Sequence, residues 1–241
     1  MTLDRPLRIV RLFPDLLGTY GDDGNAVVLA QRARWRGVEA EIIDVRSGDA
    51  IPDDGDVYVI GGGEDGPQTA AARQLAASGA LGRAVERGAP VLAVCAGFQL
   101  LGTSFLGPDG TSTAGLGLLD VVTERSSGPR MVGDVISDAD PTLGLPPLTG
   151  YENHAGASRL GPTARPLATV RRGTGNGTGD RAEGVLAGRI VATYLHGPVL
   201  ARNPALADLL LAWALHVEPG SLEPLDDSLV DALRAERLAA G

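Results

Sequence analysis

The sequence predicts an α/β fold, a single domain built on a mostly parallel sheet flanked by helices. Four short apolar or alternating runs, 7–13, 40–45, 56–60 and 90–94, read as strands of a largely buried sheet. Helical patterns lie between them, the alternation that builds parallel, doubly wound sheets. With 241 residues and 44% hydrophobic content, the chain is long enough to bury one sizeable core.

Taken in order, the run 25–36 places Val28, Ala33 and Trp35 among polar residues and stops at Gly37, so it reads as a helix. A second helix is expected over 69–87, Ala-rich and Leu-spaced, with Gly88 ending it. The second half is richer in strands, expected at 116–124, 131–137, 168–172 and 189–194 between Pro and Gly punctuation. Residues 203–216 form a helix with Leu206, Leu209, Leu210 and Trp213 on one face. The stretch 173–180, GTGNGTGD, predicts a mobile hairpin or loop. From Ser221 onward a helical tail is expected, with Leu225, Leu229, Val230 and Leu233 as its apolar stripe; no internal repeat or linker interrupts 1–241.

A net charge of −9 argues against nucleic acid, because phosphate binding needs a positive field. All 21 basic residues are Arg, which removes Schiff bases, phosphate-loop lysines and Ser-Lys pairs. One cysteine permits no internal disulfide, and neither a signal-peptide pattern nor a membrane-span pattern is present. A cytoplasmic protein is the expectation.

That cysteine, Cys95, stands where the buried run 90–94 turns into a helix, with Ala93 and Gly97 on either side. This is the layout of a nucleophile elbow, in which crowding at the turn admits only small flanking residues and the side chain projects over the sheet edge. The helix dipole and free backbone N–H groups favour the thiolate there. A second turn, Gly61-Gly62-Gly63, also follows a strand. Backbone N–H groups of Gly62 or Gly63, together with Ala96, are suited to hold an oxyanion, one such donor being worth about 3 kcal/mol in the barrier. Of three histidines, His196 closes a strand at the sheet edge where α/β sites lie. His154, in the turn-rich stretch GYENHAG, is its rival, and His216 ends a helix.

The glycine turn, the AVCAGFQ elbow, GYENHAG and TYLHGP, in this order over nearly the whole chain, resemble the class I glutamine amidotransferases of the cobyric acid synthase type. Within that group the likeness is to stand-alone glutaminase subunits of lipid II isoglutaminyl synthase. The resemblance implies Cys95 as nucleophile and His196 as base. It implies Arg130 for the α-carboxylate of L-glutamine, where an Arg fork gives a bidentate pair. Gly62, Gly63, Ala96 and Gln99 are expected to line the substrate, with neither metal nor cofactor. It also implies that ammonia passes to a Mur-ligase-like, ATP-using partner in a heterodimer. That partner amidates D-glutamate of the lipid II stem peptide in peptidoglycan synthesis.

The sequence departs from the general class at two positions. Ala93 replaces a common Gly, and Pro198 stands two after His196 where many members have Glu. A Cys-His dyad is therefore expected, with Glu152 as an orienting group. Rival readings are a subunit amidating cobyrinic acid, a cysteine hydrolase of DJ-1 or PfpI type, which would place His where Ala96 stands, and a non-catalytic binding subunit.

Overall fold

The computed structural model describes residues 4–107 and 109–239. Strand β1 (Leu7–Leu12) leads through an irregular loop to helix α1 (Gly24–Trp35), followed by β2 (Ala40–Val45) and β3 (Val57–Ile60). Helices α2 (Asp65–Ser78) and α3 (Ala80–Glu86) precede β4 (Val91–Val94), and α4 (Ala96–Leu101) follows it directly. Next come β5 (Ser104–Leu106), β6 (Ser112–Ala114), β7 (Val121–Arg125), β8 (Met131–Ala139), β9 (Leu148–His154), β10 (Gly156–Leu160) and β11 (Ala168–Arg172). The chain then forms β12 (Ala182–Glu183), β13 (Val185–Ala187), β14 (Ile190–Thr193), α5 (Val199–Arg202), α6 (Pro204–Ala214) and α7 (Ser228–Ala239).

The main sheet runs β13-β14-β4-β3-β1-β2. Its neighbours are parallel except β13, which pairs antiparallel with β14 at one edge. Every residue of β3, β4 and β14 is buried, as strands covered on both faces require. The C-terminal ends of β3, β4 and β14 lie side by side, which brings the glycine turn, Cys95 and His196 to one edge. Two smaller sheets, β10-β7-β5-β6 and β12-β11-β8-β9, stand beside that edge.

Several expectations change. The helix expected over 69–87 starts earlier, at Asp65, and is two helices, because Gly79 adopts φ +62° and ends α2 as it begins α3. The expected strand 116–124 pairs only from Val121. The N–H groups of Leu116, Gly117 and Leu119 instead reach the carbonyls of Leu100, Gly102 and Leu101 and close the end of α4. The stretch around GYENHAG is not turn-rich but forms β9 and β10.

The glycine-rich 173–180 segment is tied down. Glu152 accepts from the N–H groups of Thr174 (2.8 Å) and Gly175 (2.9 Å), and the fully buried Asn176 side chain bridges both backbone groups of Gly184. The tail is helical only from Ser228. On its apolar stripe Leu229 and Leu233 are exposed, and Arg234 is the buried residue of the helix.

Candidate active site

Cys95 begins α4 at φ +53°, ψ −106°, a region that costs a non-glycine residue about 1–3 kcal/mol. The surrounding turn holds it there. Its N–H donates to the Thr193 carbonyl (2.9 Å), its carbonyl accepts from Gln99 (3.0 Å), and the Gly97 N–H reaches Gly61 (3.1 Å). Gly97 is required by that approach, because a Cβ there would lie 2.8 Å from the Ile60 carbonyl oxygen. The sulfur-bearing residue is 7% exposed and forms part of a cleft of about 140 Å³.

His196 follows β14, and its backbone is clamped to β9 by reciprocal bonds with Tyr151 (2.8 and 3.2 Å). Its ring is buried. Nδ1 meets the Asp22 carboxylate at 2.9 Å (Oδ2) and 3.1 Å (Oδ1), which sets the tautomer and aims Nε2 at the other side of the ring. Asp22 is itself fully buried, and its Oδ2 also accepts from the Gly62 N–H at 2.9 Å. His196 Cε1, Asp22 Oδ2 and Cys95 Cβ converge on Gly62, lying 2.9, 3.1 and 3.3 Å from where a Cβ on that glycine would sit. His196 Nε2 is buried and has no hydrogen-bond partner, the place a thiol proton would take.

Burial alone would pull the His196 pKa down. The Asp22 carboxylate, and after it the neighbouring Cys95 side chain, outweigh it and push the pKa up to about 9. Near neutral pH the His196 ring is therefore protonated.

Asp22, Tyr20 and the turn around them come from the loop between β1 and α1, which lies across the glycine turn. Thr19 and Gly62 form a bridge, and Leu16 and Leu17 pack against Gly63. Tyr20 adopts φ +65°, places its ring 4.9 Å from that of His196, and lines the cleft.

Arg130 lies in the cleft, although not in the sheet. Its guanidinium is held by the Asn153 side chain (2.5 Å) and carbonyl (3.1 Å) and by the Tyr20 hydroxyl (3.3 Å). Gln99 also lines the cleft, with its amide engaged by Gln68 (3.0 Å) and Tyr194 (3.0 Å). Arg125, Glu64 and Asp65 complete a polar rim that the sequence reading did not single out.

Two expectations are corrected by this geometry. The carboxylate on His196 is Asp22, not Glu152, whose oxygens are spent on the 173–180 loop and lie 3.9 Å from His154 Nε2. The Gly62 N–H is committed to Asp22, whereas Gly63 and Ala96 line the cleft. His154 lines the same cleft but is engaged elsewhere. It stacks on Tyr194 at 3.6 Å and bonds Gly156 through Nδ1 at 2.9 Å.

Residues 8–204 match the model of the CobB/CobQ-like glutamine amidotransferase domain. The chain belongs to this family. It is 36% identical over 220 residues to the lipid II isoglutaminyl synthase (glutamine-hydrolyzing) subunit GatD of Staphylococcus aureus, covering 90% of this chain and 88% of that one. The same-named subunit of Streptococcus pneumoniae is 33% identical over 219 residues, covering 89% and 82%. Among solved structures, a glutamine amidotransferase crystal structure superposes with a TM-score of 0.57 at 22% identity over 85% of this chain and 98% of the other, a likeness of fold. The elbow, the clamped histidine and the cleft arginine are therefore features of a CobB/CobQ-like amidotransferase. Among the described residues no helix is long and apolar enough to cross a membrane.

Proposed function

We propose that this chain is a glutaminase subunit that hydrolyses L-glutamine to glutamate and ammonia. Cys95 thiolate adds to the side-chain carboxamide carbon, forming a C–S bond and placing negative charge on the oxygen. The N–H groups of Gly63 and Ala96 receive that charge. The His196 imidazolium then gives its Nε2 proton to the departing nitrogen, the C–N bond breaks, and ammonia leaves a thioester. Neutral His196 next takes a proton from water as its oxygen attacks the thioester, the C–S bond breaks, and glutamate and the thiolate result. Asp22 stabilises the ring each time it is charged. Arg130 binds the substrate α-carboxylate as a fork.

The observation that carries this reading is the convergence of Asp22, His196 and Cys95 on Gly62 at the foot of a cleft that contains a guanidinium. The names of the GatD relatives support a subunit role in lipid II isoglutaminyl synthase. In that role ammonia is channelled to a cytoplasmic, Mur-ligase-like, ATP-dependent partner in a heterodimer, which amidates D-glutamate of the lipid II stem peptide. The test is ammonia release from glutamine, measured with and without the co-expressed ligase subunit, followed by glutamine-dependent amidation of lipid II. Both activities are expected, and both vanish in Cys95→Ser while added ammonia still drives amidation. Undiminished ammonia release by Cys95→Ser refutes the glutaminase; release with no amidation refutes the acceptor.

A further inference from the structure

Tyr20 stands between two residues that grip the same glycine. The Thr19 N–H donates to the Gly62 carbonyl (3.1 Å), and the Gly62 N–H donates to Asp22 Oδ2 (2.9 Å). Between them Tyr20 is bent to φ +65°, a left-handed conformation that a bulky L-residue rarely adopts and that persists only where the surroundings dictate it. With this bend the side chain lies in the cleft wall and not in the core, and the residue is 39% exposed.

That side chain makes two contacts with the site. Its ring sits 4.9 Å from the His196 imidazole, inclined by 60°, against a histidine that is 1% exposed. Its hydroxyl accepts from Arg130 Nη2 (3.3 Å). The other bonds of the guanidinium run to Asn153, from Nε to the side-chain oxygen (2.5 Å) and from Nη2 to the carbonyl (3.1 Å). Among the described residues the Tyr20 hydroxyl donates to no acceptor, so its proton is free for an oxyanion lying on Arg130. A phenol beside a guanidinium adds a second charge-assisted donor to a carboxylate site. An aromatic ring against an imidazole restricts its tilt and keeps bulk water off it, and it favours the charged ring.

We infer that Tyr20 is a positioning and specificity residue that serves both ends of the substrate. Its hydroxyl completes the α-carboxylate site with Arg130, and its ring holds the His196 imidazole in line with the reacting carboxamide. The inference rests on the glutaminase reading of the cleft. The two roles belong to different atoms of one side chain, so they separate on substitution. Loss of the hydroxyl weakens recognition of the carboxylate alone, whereas loss of the ring frees the imidazole. Asn153 supplies the contrast, because it holds Arg130 and makes no hydrogen bond to His196 among the described residues.

The experiment is steady-state ammonia release by the full chain co-expressed with the proposed ligase subunit, from L-glutamine and from L-glutaminamide, which lacks the α-carboxylate. Tyr20→Phe is expected to raise KM for L-glutamine about tenfold, the loss of one charge-assisted contact, with kcat held within about twofold. Its preference for L-glutamine over L-glutaminamide, in kcat/KM, is expected to narrow by the same factor. Tyr20→Leu is expected to add a fall in kcat of about 10²-fold, as a displaced imidazole gives. Asn153→Ala is expected to raise KM and leave kcat in place. The return of kcat in Tyr20→Phe is a result that a merely structural residue would not give. Wild-type kinetics in Tyr20→Leu, an unchanged preference in Tyr20→Phe, or an equal fall of kcat in both overturns the role of Tyr20 while the glutaminase stands. If the wild type itself releases no ammonia, the glutaminase reading fails and this inference fails with it.

Discussion

A methyl group on Gly62 has no space, because it would lie 2.9 Å from His196 Cε1 and 3.1 Å from Asp22 Oδ2. Gly62→Ala is therefore expected to push the imidazole off its line to Cys95 and lower kcat by about 10²-fold, the cost of roughly 1 Å of misplacement, with circular dichroism unchanged. Asp22→Asn tests the other side of the ring. It keeps the shape but removes the charge that is the main cause of His196 standing at about 9. Activity is expected to fall by about 10²–10⁴-fold, with the alkaline limb of the kcat profile moving from near 9 toward neutrality. An unshifted limb places the titrating group elsewhere. At this scale Cys95 and His196 were legible in the sequence, because an elbow and a strand end mark themselves locally. Asp22 was not, since it lies 174 positions from the ring it holds. The available signal was the GTYGDDGN loop after β1, at the sheet edge where ligands bind.

Two carboxylates organise the elements behind the cleft. Glu183 on β12 is fully buried and ties that strand to β14, its Oε1 accepting from the Thr193 hydroxyl (2.7 Å) and the Tyr194 N–H (2.9 Å). Burial pushes its pKa up to about 7, against the pull of those two donors and with a small push from Glu152. With an ordinary value of 4.5, the folded state holds an extra proton between 4.5 and 7, so this contribution is complete below 4.5 and lost as pH rises through 7. Glu183→Gln cannot lose it. In urea titrations the variant is expected to gain about 1–3 kcal/mol on the wild type between mildly acidic and mildly alkaline pH; a constant difference contradicts the assignment. Glu152→Ala leaves the Thr174 and Gly175 N–H groups unpaired, and a loss of about 1–3 kcal/mol with faster amide exchange across 173–180 is expected. The parallel core strands were readable because each is short, apolar and bounded by turn residues. β9 was hidden by its composition. Its Glu152, Asn153 and His154 are polar because they serve the loop and the cleft, so the segment lacks the apolar run that reveals a buried strand.

Across the molecule, Arg32 joins parts that are far apart in sequence. Its guanidinium is almost fully buried in α1 and forks onto Asp208 of α6 (2.7 Å at both oxygens) and Asp227 ahead of α7 (2.6 and 2.8 Å). Arg32→Ala takes from Asp227 its arginine partner and leaves Asp208 with Arg36 alone (2.8 Å), and is expected to cost about 2–4 kcal/mol in chemical denaturation. The loss should be accompanied by earlier exchange in α7 than in the main sheet. The tail was expected as an amphipathic helix with an apolar stripe. It is a helix, but its fastening is ionic, through Asp227 and the bond from Arg234 to the Pro147 carbonyl (2.5 Å), which no apolar periodicity can announce. The fold places the Cys95 sulfur, the His196 imidazole and the cleft arginine at one sheet edge, and the proposed hydrolysis requires them to act together. The most direct test is peptide-mapped labelling by the glutamine analogue diazo-oxo-norleucine of the chain co-expressed with the proposed ligase subunit. The account predicts one adduct, on Cys95, formed at least about 10²-fold more slowly in His196→Ala and Asp22→Asn. It also predicts protection by L-glutamine that Arg130→Ala removes. Absence of the adduct, or labelling at the wild-type rate in both triad variants, contradicts it.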